Sequence, residues 1–228
     1  LIGKSGGMNT QNNVFIITST INTPFGLISV EGRYQQTIDT IDSIKQQDKN
    51  AVIILIDNST VPLSDAQYNI LTANVTYFLD IGNRTPCKLL NKDGVKGAGE
   101  AYMLLVGLDL IKKMNLLPKR VFKISGRYKL SNTFSIAFYN DTYGKYVFKT
   151  RTTNEYETIS LHARLWSACG SELTDMKELI AKSFYQHIVD NTTIEEAMFK
   201  NIDKTKLLEV EQIHCEGLIA PWNTLINE

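Results

Sequence analysis

The chain has 228 residues, 43% of them hydrophobic and 21% charged, which suits one folded α/β domain with a sizeable core and excludes a disordered or fibrous protein. Its 24 basic residues balance 24 acidic ones, so no overall positive field draws it to nucleic acid or to an anionic membrane, and any anionic ligand must be met locally. Three cysteines, Cys87, Cys169 and Cys215, without Cys-x-x-Cys spacing, argue against a disulfide framework or a structural zinc site and fit a reducing, cytoplasmic setting.

No apolar stretch approaches the roughly 20 residues that cross a bilayer, and the start of the chain lacks the pattern of a signal peptide. Leu1–Gly7 precede Met8 and are expected to be a cloning remnant, so residues 1–13 are set aside as a disordered tag and N-terminus. The Asn-x-Ser/Thr matches, at Asn58, Asn74, Asn83, Asn140 and Asn191, are taken as chance in a chain rich in Asn and Thr.

Val14–Thr18 is a short β-branched and aromatic run, expected as a buried parallel strand. From Arg33 to Gln47 the apolar residues Tyr34, Ile38, Ile41 and Ile44 share one helical face. Ala51–Ile56 reads as a second strand that ends in Asp57-Asn58-Ser59, completing a right-handed parallel unit. A helix over Ser64–Ala73 and a strand over Val75–Leu79, closed by Asp80, repeat the pattern. Asn91–Gly99 is a polar, Gly-rich stretch opening into a helix over Ala98–Met114, and Val121–Ile124 is a fourth strand running into Ser125-Gly126-Arg127-Tyr128. In the second half, Phe134–Tyr139 and Lys145–Arg151 are expected as an antiparallel pair about a turn. Helices over Ser160–Ser167, Glu172–Val189 and Ile194–Asn201 and a strand over Leu208–His214 complete the expected elements.

Several motifs are missing. There is no Gly-x-Gly-x-x-Gly after the first strand, no Gly-x-x-x-x-Gly-Lys-Ser/Thr and no Gly-x-Ser-x-Gly, which removes dinucleotide sites, P-loops and hydrolase elbows from consideration. In an open parallel sheet ligands gather beyond the carboxyl ends of the strands, where Thr18, Ser19, Asp57, Asp80 and Ser125 to Tyr128 all fall.

The order of pieces from Val14 onward resembles the GT-A glycosyltransferases, most of all those of large DNA viruses and bacterial surface-polysaccharide pathways. The stretches that carry the resemblance are Val14–Ser19, Arg33–Gln47, Ile53–Ser59 and Gly94-Val95-Lys96-Gly97-Ala98-Gly99-Glu100-Ala101 with its helix. The resemblance implies a Rossmann-like, mostly parallel central sheet flanked by helices. Residues 14–131 would bind a nucleoside diphosphate sugar, and a mixed C-terminal half, 132–228, would hold a glycan acceptor. It also implies Thr18 and Ser19 at the donor, and Asp57 at the base or ribose, with capping of the strand end the alternative for Asp57.

The family's Asp-x-Asp metal motif is replaced here by Ser125-Gly126-Arg127, so a divalent cation such as manganese is either absent or held elsewhere, with Asp80 the candidate ligand. Arg127 is the candidate to meet the diphosphate in its place, because a guanidinium fork matches phosphate oxygens; its bland alternative is an ion pair with a nearby carboxylate. Lys96 and Glu100, at the start of a helix, are candidates to grip the donor. Glu195 and Glu196 are the candidate bases for an acceptor hydroxyl, ahead of Glu155 and Glu216, although Thr193 followed by Glu196 is also a capping box. His162, Arg164, Trp166 and Trp222 are candidate acceptor contacts, with core packing the alternative for Trp166. A noncatalytic binding module of the same fold and a sugar-phosphate nucleotidyltransferase are the alternatives. The sugar, the base and the acceptor are not encoded in any motif.

Overall fold

The structure of the chain, a computed structural model, describes residues 11–23, 28–92, 96–153, 159–219 and 224–228. The first half runs β1 (Val14–Ser19), α1 (Val30–Gln47), β2 (Val52–Asp57), α2 (Asp65–Asn74), β3 (Tyr77–Asp80), α3 (Thr85–Lys92), α4 (Lys96–Lys113) and β4 (Arg120–Ser125). The second half runs β5 (Tyr128–Leu130), α5 (Ile136–Asp141), β6 (Tyr146–Lys149), β7 (Thr152–Thr153), β8 (Ile159–Ser160), β9 (Leu165–Cys169), α6 (Leu173–Asp190), α7 (Ile194–Asn201), β10 (Leu207–Val210), β11 (Cys215–Ile219) and β12 (Thr224–Asn227).

Among the described residues, seven strands form the central sheet in the order β10-β6-β9-β4-β1-β2-β3. β1 pairs parallel with both β2 and β4, β2 with β3, and β6 with β10; β9 runs antiparallel between β4 and β6. The expected α/β architecture, a mostly parallel sheet flanked by helices with a mixed second half, is the one observed. The chain leaves β1 in opposite directions toward β2 and β4, so the sheet reverses its winding between β1 and β4, where open sheets form a crevice.

Strand alternation sorts the core into two layers. Val14, Ile16, Ile54, Ile56 and Val121 face α4, α6 and α7, whereas Phe15, Ile17, Ile53, Leu55, Phe122 and Ile124 face α1. In the second layer Phe15 stacks on Phe122 with ring centroids 4.5 Å apart. In the first, α4 lies close on the sheet because Gly107 has no side chain: a Cβ there would sit 3.0 Å from Ile56 Cδ1 and 3.1 Å from Ile16 Cγ2. No helix among the described residues is long and apolar enough to cross a membrane. Cys87, Cys169 and Cys215 are free and buried.

Three expectations are corrected. Phe134–Tyr139 is not a strand: Ser135 caps α5 by accepting from Phe138 N (3.3 Å), and Phe134 and Tyr139 both pack edge-on against Phe122. Lys145–Arg151 contains β6, but its partners are β9 and β10 rather than a hairpin mate. The helix expected over Ser160–Ser167 is replaced by β8 and β9, because all five residues of β9 are buried between two layers and such a strand shows no alternation. One helix was also unforeseen: α3 occupies Thr85–Lys92 and buries Cys87, so the polar Gly-rich stretch is partly a helix before α4 begins.

Candidate functional site

The same alternation that builds the core divides the polar residues at the end of β1. Thr18 turns toward α4 and donates to Glu100 Oε1 (3.2 Å), while Ser19 turns toward α1, its Oγ 3.2 Å from Thr37 Oγ1. Gly126 joins the two strands, donating from its N–H to Thr18 O at 2.8 Å. A Cβ at Gly126 would lie 3.1 Å from Thr37 Oγ1 and 3.3 Å from Ser19 Cβ, so a side chain there would press α1 away from the end of β4.

Asp57 is a loop anchor. It is 1% exposed, and its two oxygens accept from Ile21 N (3.0 Å) and Ser59 N (2.9 Å). Burial pushes its carboxyl above the usual range, and the hydrogen bonds from Ser59 and Ile21 oppose that rise. The carboxylate expected at a nucleobase therefore fixes the turn after β1 instead of standing open to solvent.

Beside β4 lies a pocket of about 410 Å³ lined by Glu100, Lys123, Ser125, Arg127, Thr193 and Glu195 on the side of β4, α4 and α7, and closed by Ser160 to Arg164 and Tyr128. Lys123 points to the same face as Thr18, is 1% exposed, and forms an ion pair with Glu100 while donating to Ala163 O. The wall at 160–164 is tied to the rest by two backbone bonds, Ser125 N to Arg164 O (3.0 Å) and Leu161 N to Glu195 O (3.4 Å).

The two glutamates opening α7 have different work. Glu196 completes a capping box, accepting from Thr193 N at 3.3 Å while its own N–H donates to Thr193 Oγ1 at 3.2 Å. Glu196 does not line the pocket; Glu195 does. Burial raises the Glu195 carboxyl above its ordinary value, and the nearby Glu100 charge adds to the effect, with Lys123 and His187 opposing it. A carboxylate raised in this way is a stronger proton acceptor.

Arg127 lines the pocket with its guanidinium 5.7 Å from the Tyr128 ring centre. It forms no ion pair among the described residues, against the bland expectation of a carboxylate partner. Arg164 by contrast donates through Nη1 to both oxygens of Glu228, at 2.7 and 2.8 Å. His162 also lines the pocket; burial, with the Arg164 and Lys149 charges, lowers its pKa against the pull of Glu228, and its Nε2 is buried without a hydrogen-bond partner.

Trp166 is drawn away from this surface. It is 1% exposed and stacks on Phe148, with ring centroids 5.6 Å apart, so its indole is core and not an open aromatic face. Asp80 is exposed at the end of β3, bonded to Gly82 N at 3.3 Å, and does not line the pocket. Lys96 opens α4, but its side chain, with Trp222 and Glu155, lies outside the described residues. Among the described residues no three His, Cys, Asp or Glu side chains gather as metal ligands, and Glu100 is engaged with Lys123 and Thr18.

Lys123 and Thr193 are among the pocket residues that the sequence reading does not single out. Lys123 carried a signal, a charge inside the otherwise apolar run Val121–Ile124. Thr193 stood only as a cap and also lines the pocket.

No family model matches the chain, and no curated protein matches its sequence. Solved structures do share its shape. A galactosyltransferase, LgtC, in complex with donor and acceptor sugar analogues superposes with a TM-score of 0.52 at 7% identity, covering 86% of this chain and 73% of that one. Mouse xyloside xylosyltransferase 1 gives a TM-score of 0.46 at 11% identity over 87% of this chain and 84% of its own. The glycosyltransferase GlyE of Streptococcus pneumoniae TIGR4 gives 0.47 at 10% identity over 89% and 46%. At such identities the likeness to LgtC is one of fold, the GT-A type of sheet and helices.

Proposed function

We propose that the chain is a glycosyltransferase that binds a nucleoside diphosphate sugar in the crevice between β1 and β4 and passes the sugar to a hydroxyl of a glycan acceptor. The observation that carries this is the pocket beside the carboxyl end of β4, where a half-buried carboxylate, Glu195, lines the same space as Arg127, which forms no ion pair among the described residues. In an inverting displacement the Glu195 carboxylate takes the acceptor's hydroxyl proton as that oxygen attacks the anomeric carbon. The bond from that carbon to the diphosphate breaks, and its electron pair leaves on the diphosphate. Arg127 stabilises the negative charge that develops there. His162 and Arg164, the latter fixed by Glu228, stand on the side assigned to the acceptor.

Thermal unfolding with a panel of uridine, thymidine and guanosine diphosphate sugars, each with and without manganese, tests this reading. A donor at about 100 times its dissociation constant should add about 2.7 kcal/mol to stability. One base class is expected to stabilise the protein, and the same donor should be hydrolysed slowly without acceptor. Stabilisation with no turnover on any glycan would assign a noncatalytic module, and a requirement for a nucleoside triphosphate would assign a nucleotidyltransferase.

A further inference from the structure

Arg33 stands in the first turn of α1, half-buried. Its Nη1 donates to Thr20 O (3.3 Å), just past the end of β1, and its Nε is buried with no hydrogen-bond partner. One turn further along, Thr37 Oγ1 bonds both Arg33 O (3.0 Å) and Gly126 O (3.3 Å), which pins this part of α1 to the residue before Arg127. With Gly126 N on Thr18 O, these contacts hold Arg33 and Arg127 over the same pair of strand ends.

Neither guanidinium has a carboxylate within ion-pair distance among the described residues. Burial first, and then the charge of Arg127, holds Arg33 below the ordinary arginine value. Two cations held over the same pair of strand ends at a cost are relieved by an anion that accepts from both. Planar guanidinium forks suit phosphate oxygens in particular.

We infer that Arg33 and Arg127 form a two-guanidinium cradle for a diphosphate, with Arg33 gripping it from the α1 side and Arg127 from the pocket side. This rests on the transferase reading only in assigning that diphosphate to a nucleotide-sugar. Arg33 then does for the leaving group what a second positive charge must do: it shares the charge that one arginine alone would carry.

Calorimetric titration of the full chain with inorganic pyrophosphate, at low salt and without added metal, tests the cradle. Wild type is expected to bind, with affinity falling as salt rises. Arg33→Gln and Arg127→Gln should each weaken binding about tenfold, equivalent to about 1.4 kcal/mol. Arg33→Lys should fall between them and wild type, since an ammonium keeps the charge and loses the fork. It also serves if Arg33→Gln, deprived of its bond to Thr20, fails to fold. No pyrophosphate binding by wild type, or equal affinity in a folded Arg33→Gln or Arg33→Lys protein, overturns the cradle. Arg33-dependent pyrophosphate binding without turnover of any nucleoside diphosphate sugar upholds the cradle while removing the transferase reading. Turnover with an unchanged donor KM in Arg33→Gln does the reverse.

Discussion

Strand β4 carries an arginine at its start and another just beyond its end, and the two live in opposite conditions. Arg120, at the amino end, is 1% exposed and gives its donors to Ser167 Oγ (3.0 Å), Thr142 O (3.2 Å), Thr142 Oγ1 (2.7 Å) and Lys145 O (3.0 Å). Burial pushes its pKa down to about 10, which still leaves it charged at neutral pH. Arg127, at the carboxyl end, keeps its donors turned to a pocket. One end of the sheet is a closed polar knot, and the other is left with capacity to bind. Buried polarity therefore marks function only where its hydrogen-bonding is unfinished.

Breaking the open end at Glu195 should have the largest effect. Glu195→Gln is expected to cut turnover by about 10²–10⁴-fold, the usual share of a general base, and to abolish the acid limb of the pH–rate profile, which in wild type should lie above 4.5. Its effect on folding has the opposite sign. A carboxyl raised by burial adds stability that is complete below its unfolded value of 4.5 and is lost as pH rises through the folded value. At pH 7 the glutamine protein should therefore be at least as stable as wild type in urea, with its relative advantage shrinking toward pH 4.

Breaking the closed end should invert that pattern. Arg120→Leu strands buried acceptors on Thr142 and Lys145, each costing about 1–3 kcal/mol, so a loss of about 3 kcal/mol in unfolding free energy is expected. The folded fraction should keep its pyrophosphate affinity, which titration below the unfolding transition would measure. The smallest effect separates the two neighbours on α7. Glu196→Ala removes one side of a capping box and should cost about 0.5 kcal/mol with turnover unchanged. A turnover loss in Glu196→Ala as large as in Glu195→Gln would return Glu196 to the site.

The parallel half was legible because its strands are short, continuous runs of Val, Ile, Leu and Phe between helices whose apolar spacing is regular. β1, β2, β4 and α1 follow their expected spans closely, and α7 matches its span to the residue. The second half defeated pattern reading where burial on both sides erased alternation, as in Leu165–Cys169, and where a capping serine turned an alternating run into a helix at Ile136–Asp141. At the site, spacing flagged Glu195 and Glu196 together, since both follow Thr193. Only three dimensions separate adjacent helical positions into one that caps and one that faces a cavity. Asp57 and Trp166 had the residue types of ligand contacts, but their surroundings make them scaffold. Arg33 was invisible because nothing in its local pattern tells a solvated helix charge from one held against a second cation.

Gly107 gives α4 a fixed clearance above the sheet, and Glu100 rides on that helix about two turns away. The missing methyl acts as a spacer gauge for the chemistry. Any residue larger than glycine would have to lift the rod by a few tenths of an ångström or shift Ile16 and Ile56. The lift would be felt at the far end as a change in how Glu100 meets Lys123 and Thr18, and through Glu100 in the charge felt by Glu195. The environment of the Glu195 carboxylate is thus set partly from the hydrophobic floor, by an atom that is not there.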